Sequence, residues 1–153
     1  MTRVGIISDT HGQIRPQALD ALQGSEYIIH AGDIGKGAII EALQEIAPVT
    51  AVHGNIDKAE VRALYPSDAV LQLGSRFVYV LHIIDDLRID PVAAGFQVVV
   101  YGHSHKPAMH RKDGVLYLNP GSAGPRRFSL PVSVAMLQIS DTGIDAEILE
   151  LAI

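Results

Sequence analysis

Five apolar runs in this chain stop abruptly at residues that carry a charge, an amide or a ring nitrogen. That repeated stop constrains the fold more than any other feature. Val4-Gly5-Ile6-Ile7 ends in Ser8-Asp9-Thr10-His11, Tyr27-Ile28-Ile29-His30-Ala31 in Gly32-Asp33, and Val49-Thr50-Ala51-Val52-His53 in Gly54-Asn55-Ile56-Asp57. Further on, Arg76–Leu81 runs into His82, and Phe96–Tyr101 into Gly102-His103-Ser104-His105. Short, almost wholly apolar runs read as buried strands. Ionisable groups at the end of a buried strand are costly unless a partner compensates them.

Helical spacing fills the gaps between the first three strands. Pro16 suits the first turn of a helix running to about Gln23. Gly37 to Ile46 carries Ile39, Ile40, Leu43 and Ile46 on one face. Strand, helix, strand, helix, strand implies a parallel sheet. In such a sheet ligands collect outside the carboxyl ends of the strands, where Asp9, His11, Asp33 and Asn55 all fall.

The second half changes style. Ala69–Leu73 and Arg76–Leu81 form a hairpin about Gly74-Ser75, and Met109–Arg111 with Val115–Leu118 form another. The polar stretch Asp85–Asp90 leads to Pro91 and a short helix. Val132–Ile139 and Ile144–Leu151 pair across Ser140–Gly143, and the loss of alternation after Ile148 predicts a bulge there. The strand-rich half is expected to add a second sheet packed on the first. No repeat or linker interrupts the 153 residues, so one domain over residues 1–153 is expected.

Composition narrows the function. A net charge of −5 argues against a broad nucleic-acid-binding face, yet bound cations would offset it locally. No uncharged apolar run reaches the ~18 residues of a membrane span. Cysteine is absent and no basic-then-apolar leader precedes the first strand, which sets a cytoplasmic expectation.

Asp9, His11, Asp33, Asn55, His82, His103 and His105 make up the chemical constellation. Carboxylate, imidazole and amide oxygen suit Mn²⁺, Fe²⁺, Zn²⁺ or Ni²⁺ better than Ca²⁺. Seven such groups exceed one tetrahedral ion and suffice for two ions sharing a carboxylate. A pair of ions ~3.5–4 Å apart clamps a phosphoryl group and activates water near neutral pH. Each group also has a structural reading: His82 as a core histidine, Asn55 as a turn residue. Their joint placement at strand ends favours the metal reading.

The ordered blocks Asp9-x-His11, Gly32-Asp33, Gly54-Asn55-x-Asp57, His82 and Gly102-His103-Ser104-His105 resemble the signature of the calcineurin-like metallophosphoesterases. Asn119-Pro120-Gly121-Ser122 and the short length resemble the small prokaryotic phosphodiesterases within that superfamily. The resemblance implies an α/β fold, a four-layer αββα sandwich of two mixed sheets flanked by helices. It also implies that Asp9, His11 and His105 hold one divalent ion, with Asp33 bridging to a second ion held by Asn55, His82 and His103. Manganese is the first expectation, with iron, zinc or nickel as alternatives. Asp9, Asp33, Asn55 and His103 become the expected catalytic residues, hydrolysing a small phosphoester by a metal-bridging hydroxide.

Two departures stand out. Superfamily members often carry His after Gly-Asn, as leaving-group acid or phosphate contact, but Ile56 stands here. After His82 the subgroup commonly continues Gly-His, whereas this chain has Ile83-Ile84. His53, Asn55 and Arg126 are expected substrate contacts, with Arg127 beside Arg126; a structural His53 and a solvated arginine pair are the alternatives. His30 reads as core. A phosphodiesterase is the leading expectation, against a phosphomonoesterase or nuclease. The rival from another class is a weakly active scaffold for protein partners, a role this fold also fills as a retromer coat subunit. Self-association into a homo-oligomer is left open.

Overall fold

A computed structural model describes residues 1–153. Two five-stranded mixed sheets pack face to face. The first has the order β10-β9-β1-β2-β3, built from β1 (Thr2–Ile7), β2 (Tyr27–His30), β3 (Val49–Ala51), β9 (Ser133–Ile139) and β10 (Ile144–Glu150). The second has the order β4-β5-β6-β8-β7, from β4 (Asp68–Leu73), β5 (Arg76–Leu81), β6 (Val98–Val100), β7 (Ala108–Lys112) and β8 (Val115–Asn119). β1, β2 and β3 are mutually parallel, as are β5, β6 and β8.

Alternation along the strands explains the layers. Val4, Ile6, Ile29, Val78, Val80, Val98, Val100, Leu116, Leu118, Ala135 and Leu137 fill the space between the sheets. The opposite faces of β1, β2 and β9 bury Ile7, Ile28 and Val134 under α1 (Pro16–Ala21), α2 (Ala38–Gln44) and α3 (Ala59–Leu64). The outer face of the second sheet has a thinner cover. Leu81, Val99, Tyr101 and Val115 lie with Ile84 and Leu87, in the crossover that holds a 3₁₀ turn (Ile84–Asp86) and α4 (Pro91–Ala94). None of these helices is long and apolar enough to cross a membrane.

Two expectations need correction, and one helix was not anticipated. No bulge occurs near Ile148, because β10 pairs with β9 in unbroken register from Ile144↔Ile139 to Glu150↔Ser133. Ala146 and Ile148 face the inter-sheet core while Leu149 and Leu151 pack against the helices, so the change of pattern marks a strand apolar on both faces. β9 and β10 do not extend the second sheet; β9 returns antiparallel to β1. α3 is an unanticipated helix: only Val61 and, one turn on, Tyr65 bury an apolar face, too little for a periodic signal.

Both parallel sets of strands end on the same side of the sandwich. Gly102 N donates to His82 O and Ala123 N to Ser8 O, joining loops that follow different strands.

Candidate metal centre

The seven predicted residues converge into two groups: Asp9, His11 and His105, and Asp33, His82 and His103, with ligand atoms within 4.8 Å of one another in each. Asn55 joins the second, its Oδ1 lying 3.1 Å from His103 Nδ1. The groups adjoin at two carboxylates. Asp33 Oδ2 lies 3.1 Å from His82 Nε2 and 3.8 Å from His11 Nε2. Asp9 Oδ1 lies 3.5 Å from His105 Nε2 and 3.8 Å from both His11 Nε2 and His82 Nε2.

Backbone conformation aims these side chains. Asp9, His11, Asp33, His103 and His105 all have positive φ, between 49° and 74°. That region is uncommon for residues with a Cβ, though Asp and His enter it more readily than most. Held strain of this kind, of order 1–3 kcal/mol per residue, persists where surrounding bonds over-determine it. Here Asp9 N donates to Gly32 O and His11 N to Asp33 O, lacing the loop after β1 to the loop after β2. Gly32 (φ 106°) lets His82 close in, since a Cβ there would fall 2.6 Å from its Nδ1.

The hydrogen bonds already made define what is left over. Asp9 Oδ2 accepts from the Ser8 hydroxyl and from His103 N–H, so Oδ1 is the free oxygen. Asp33 Oδ1 accepts from Ile56 N–H, leaving Oδ2. His82 Nδ1 lies 2.7 Å from Ala31 O, which only accepts, so Nδ1 carries the hydrogen. In the neutral ring its Nε2 then turns a lone pair towards two carboxylates. Asp9 Oδ1, His82 Nε2 and His105 Nδ1 are buried with no aligned hydrogen-bond partner. The lone pairs of Asp9 Oδ1 and His82 Nε2, 3.8 Å apart, repel unless a proton or cation sits among them.

Protonation equilibria say the same. Burial pushes the Asp9 carboxyl up to about 6, against the opposing pull of His82. Burial acts to lower His82, but the Asp33 oxygen 3.1 Å from its Nε2 and the charge of Asp9 outweigh it and raise the pKa. Both groups therefore bind a proton more tightly folded than unfolded, and the stability each contributes is lost as pH rises through its folded value. Burial lowers His11, and lowers His105 to about 4 with help from the Arg127 charge, leaving neutral imidazoles whose lone pairs can bind metal. The donor set fits divalent ions.

The remaining predicted residues flank this centre. His53 is half-buried; its Nδ1 lies 2.8 Å from Tyr65 O and its Nε2 3.4 Å from Arg62 Nη1. Arg126 and Arg127 are exposed and share a recess with His11 and His105. Ile56 is 52% exposed, and its aliphatic side chain has no proton to offer. His30 is fully buried: Nδ1 accepts from Gly32 N–H, so Nε2 donates to Thr10, whose hydroxyl passes on to Ile34 O.

Several residues that the sequence offered only as members of a motif prove to be supports. Buried Asp57 accepts from the N–H groups of Ile34, Gly35 and Gly54, tying the loop after β2 to that after β3. Buried Asn119 donates to Gly102 O and Ser104 Oγ and accepts from Gly121 N–H, while Ser122 donates to Asp9 O. The Asn119–Ser122 block thus orients both the Asp9 and the His103–His105 loops.

A model of the calcineurin-like phosphoesterase superfamily domain matches residues 2–142. A probable metallophosphoesterase of Methanothermobacter thermautotrophicus is 32% identical over 158 aligned positions, spanning 95% of this chain and 91% of its own. The phosphodiesterase YfcE of Escherichia coli K12 is 26% identical, over 90% of this chain and 88% of its own. Among solved structures, Vps29 of Entamoeba histolytica complexed with zinc superposes with a TM-score of 0.76 at 20% identity, covering 97% of this chain and 99% of that one.

Proposed function

This chain belongs to the calcineurin-like phosphoesterase superfamily, and on that premise we propose that it is a phosphodiesterase working with two divalent metal ions, manganese first among them. The observation that carries the reading is the meeting of two ligand groups at Asp33 Oδ2, with the free Asp9 Oδ1 and the bare His82 Nε2 beside it. Asp9, His11 and His105 would hold one ion, and Asn55, His82 and His103 the other, with Asp33 shared. When bound, the ions would activate water for attack on phosphorus and neutralise the charge that develops on the phosphate oxygens.

The chain's own residues do the rest. Ser8 and the His103 N–H fix one oxygen of Asp9, so that carboxylate keeps a single orientation. Ala31 O holds the tautomer of His82 and directs Nε2 inward, the usual way a metal-ligating histidine is oriented. Arg126 and Arg127 stand beside His11 and His105, where a guanidinium can take a phosphate oxygen. Neither Ile56 nor His53 offers an evident acid for the leaving oxygen.

The test is hydrolysis of bis-p-nitrophenyl phosphate by chelator-treated protein before and after Mn²⁺. Activity is expected only with metal; none with any first-row divalent ion would overturn the reading. The likeness to Vps29 favours one alternative, a metal-holding scaffold, which predicts metal binding without turnover.

Metal should also stabilise the fold. Binding to the folded state alone contributes about 2.7 kcal/mol at a hundredfold excess over Kd. At roughly 2–4 °C per kcal/mol for a chain of this size, Tm should rise by about 5–10 °C when Mn²⁺ is added after chelation. An unchanged melting curve would count against a preformed site.

A further inference from the structure

An open cleft of ≈ 530 Å³ begins at Asn55 and His82 and continues between Arg62, Asp68, Tyr79 and the segment 83–89. That is the volume of a small-molecule site, and it adjoins the place where the reacting phosphate would lie. Of its two arginines, Arg62 has its donors committed elsewhere, whereas Arg88 is bonded through Nη1 alone. Arg62 Nε donates to Asp57 O at 2.7 Å, and its Nη2 to Asn55 O at 3.1 Å and Gly54 O at 3.3 Å, while Nη1 faces His53 Nε2. Arg88 Nη1 donates to Asp85 O at 3.0 Å and Leu87 O at 3.4 Å. The Tyr79 hydroxyl donates to Asp68 Oδ2 at 2.6 Å.

What the cleft has left to offer is mixed: acceptors in the second oxygen of Asp68 and the carboxylate of Asp86, donors in Nε and Nη2 of Arg88, and the Ser67 hydroxyl, which does both. Tyr79, Ile83 and Ile89 add half-buried apolar faces. A wall with both donors and acceptors calls for ligand groups that do both, as hydroxyls do, and carboxylates accept hydroxyl hydrogen bonds at about twice the strength of neutral acceptors. An anionic arm could reach the free Arg88 donors but would meet the carboxylates of Asp68 and Asp86. An ammonium would find their field balanced by the guanidiniums of Arg62 and Arg88 in the same walls.

We propose that this cleft binds the alcohol arm of the phosphoester substrate, and that the arm is uncharged and rich in hydroxyl groups, of the sugar or polyol class. The inference rests on the phosphoesterase reading only for the seat of the phosphate.

Calorimetry on the Mn²⁺-loaded chain tests it without turnover. Glucose 1-phosphate, methyl phosphate, aminoethyl phosphate and 2-phosphoglycolate each present one phosphate with a different arm. Glucose 1-phosphate should bind at least about tenfold more tightly than methyl phosphate, a difference of ~1.4 kcal/mol. Asp86→Ala and Asp68→Asn, both at exposed positions, should each bring that ratio towards one. Equal affinity for the two, tighter binding of aminoethyl phosphate or 2-phosphoglycolate, a ratio untouched by both variants, or no binding of any of the four would overturn the assignment. Rates on methyl and glucosyl p-nitrophenyl phosphate separate this from the enzyme reading. A preserved binding ratio with no hydrolysis of either ester sinks the phosphodiesterase and leaves the cleft. Hydrolysis of both with a binding ratio of one does the reverse.

Discussion

Asp33→Asn should lower the metal content of the chain from two ions towards one or none, and reduce Mn²⁺-dependent hydrolysis by at least ~10²-fold. Changes to outer residues that merely orient a ligand already cost about 10–100-fold, and Asp33 is placed to be a ligand itself. Its Oδ2, like Asp9 Oδ1, lies within 4 Å of an imidazole from each group, and its 3.1 Å separation from His82 Nε2 is the shortest of these contacts. The substitution is close to isosteric, and the amide oxygen can still accept from Ile56 N–H, so the loop after β3 keeps its tether. What disappears is the negative charge, and a neutral amide holds two cations poorly. Elemental analysis after gel filtration, beside circular dichroism to verify folding, reads the outcome. Retention of two ions with full activity would remove Asp33 from the shared position.

The carboxylate's place was legible because strand, turn and ligand are contiguous: an apolar run followed by Gly32-Asp33 is a local signal. The same holds for His82, which directly follows Leu81, and for His103 and His105 after β6. Supports assembled from distant chain segments were not legible. Asp57 shows in sequence as the last member of Gly54-Asn55-x-Asp57, with no role attached, yet it holds the N–H groups of Ile34 and Gly35 as well as that of Gly54. Arg62 grips the carbonyls of Gly54, Asn55 and Asp57 from a six-residue helix whose buried face is a single valine. Leu149 and Leu151 misled for a different reason. A break in period-two alternation has two causes, a bulge or a second covered face, and one strand's sequence does not separate them. Which sheet β9 joins is likewise a long-range matter, decided by pairing with β1.

Ile56 sets the second large effect, a dependence on leaving group. An acid that protonates the departing oxygen is typically worth ~10²–10⁴-fold. The Ile56 side chain has no proton to give, and it is 52% exposed at the edge of the centre. His53 is no ready substitute: a neutral ring that donates from Nδ1 to Tyr65 O keeps only a lone pair at Nε2, near the Arg62 guanidinium. A nitrophenolate leaves without protonation, whereas an alkoxide does not. Mn²⁺-loaded protein should therefore cleave bis-p-nitrophenyl phosphate at least ~10²-fold faster than a dialkyl phosphate, beyond the ratio that a variant supplied with an acid displays. Ile56→His supplies one candidate acid, on a backbone already held by the bond from residue 56 N–H to Asp33. It should raise the dialkyl rate by an order of magnitude or more and leave the nitrophenyl rate within a few-fold, with a basic limb appearing in the pH profile of the dialkyl reaction near an imidazole's pKa. Equal rates on both esters in the unmodified chain would mean that another acid is present. His53→Gln would then be the decisive variant, since a selective loss of the dialkyl rate would identify His53 as that acid.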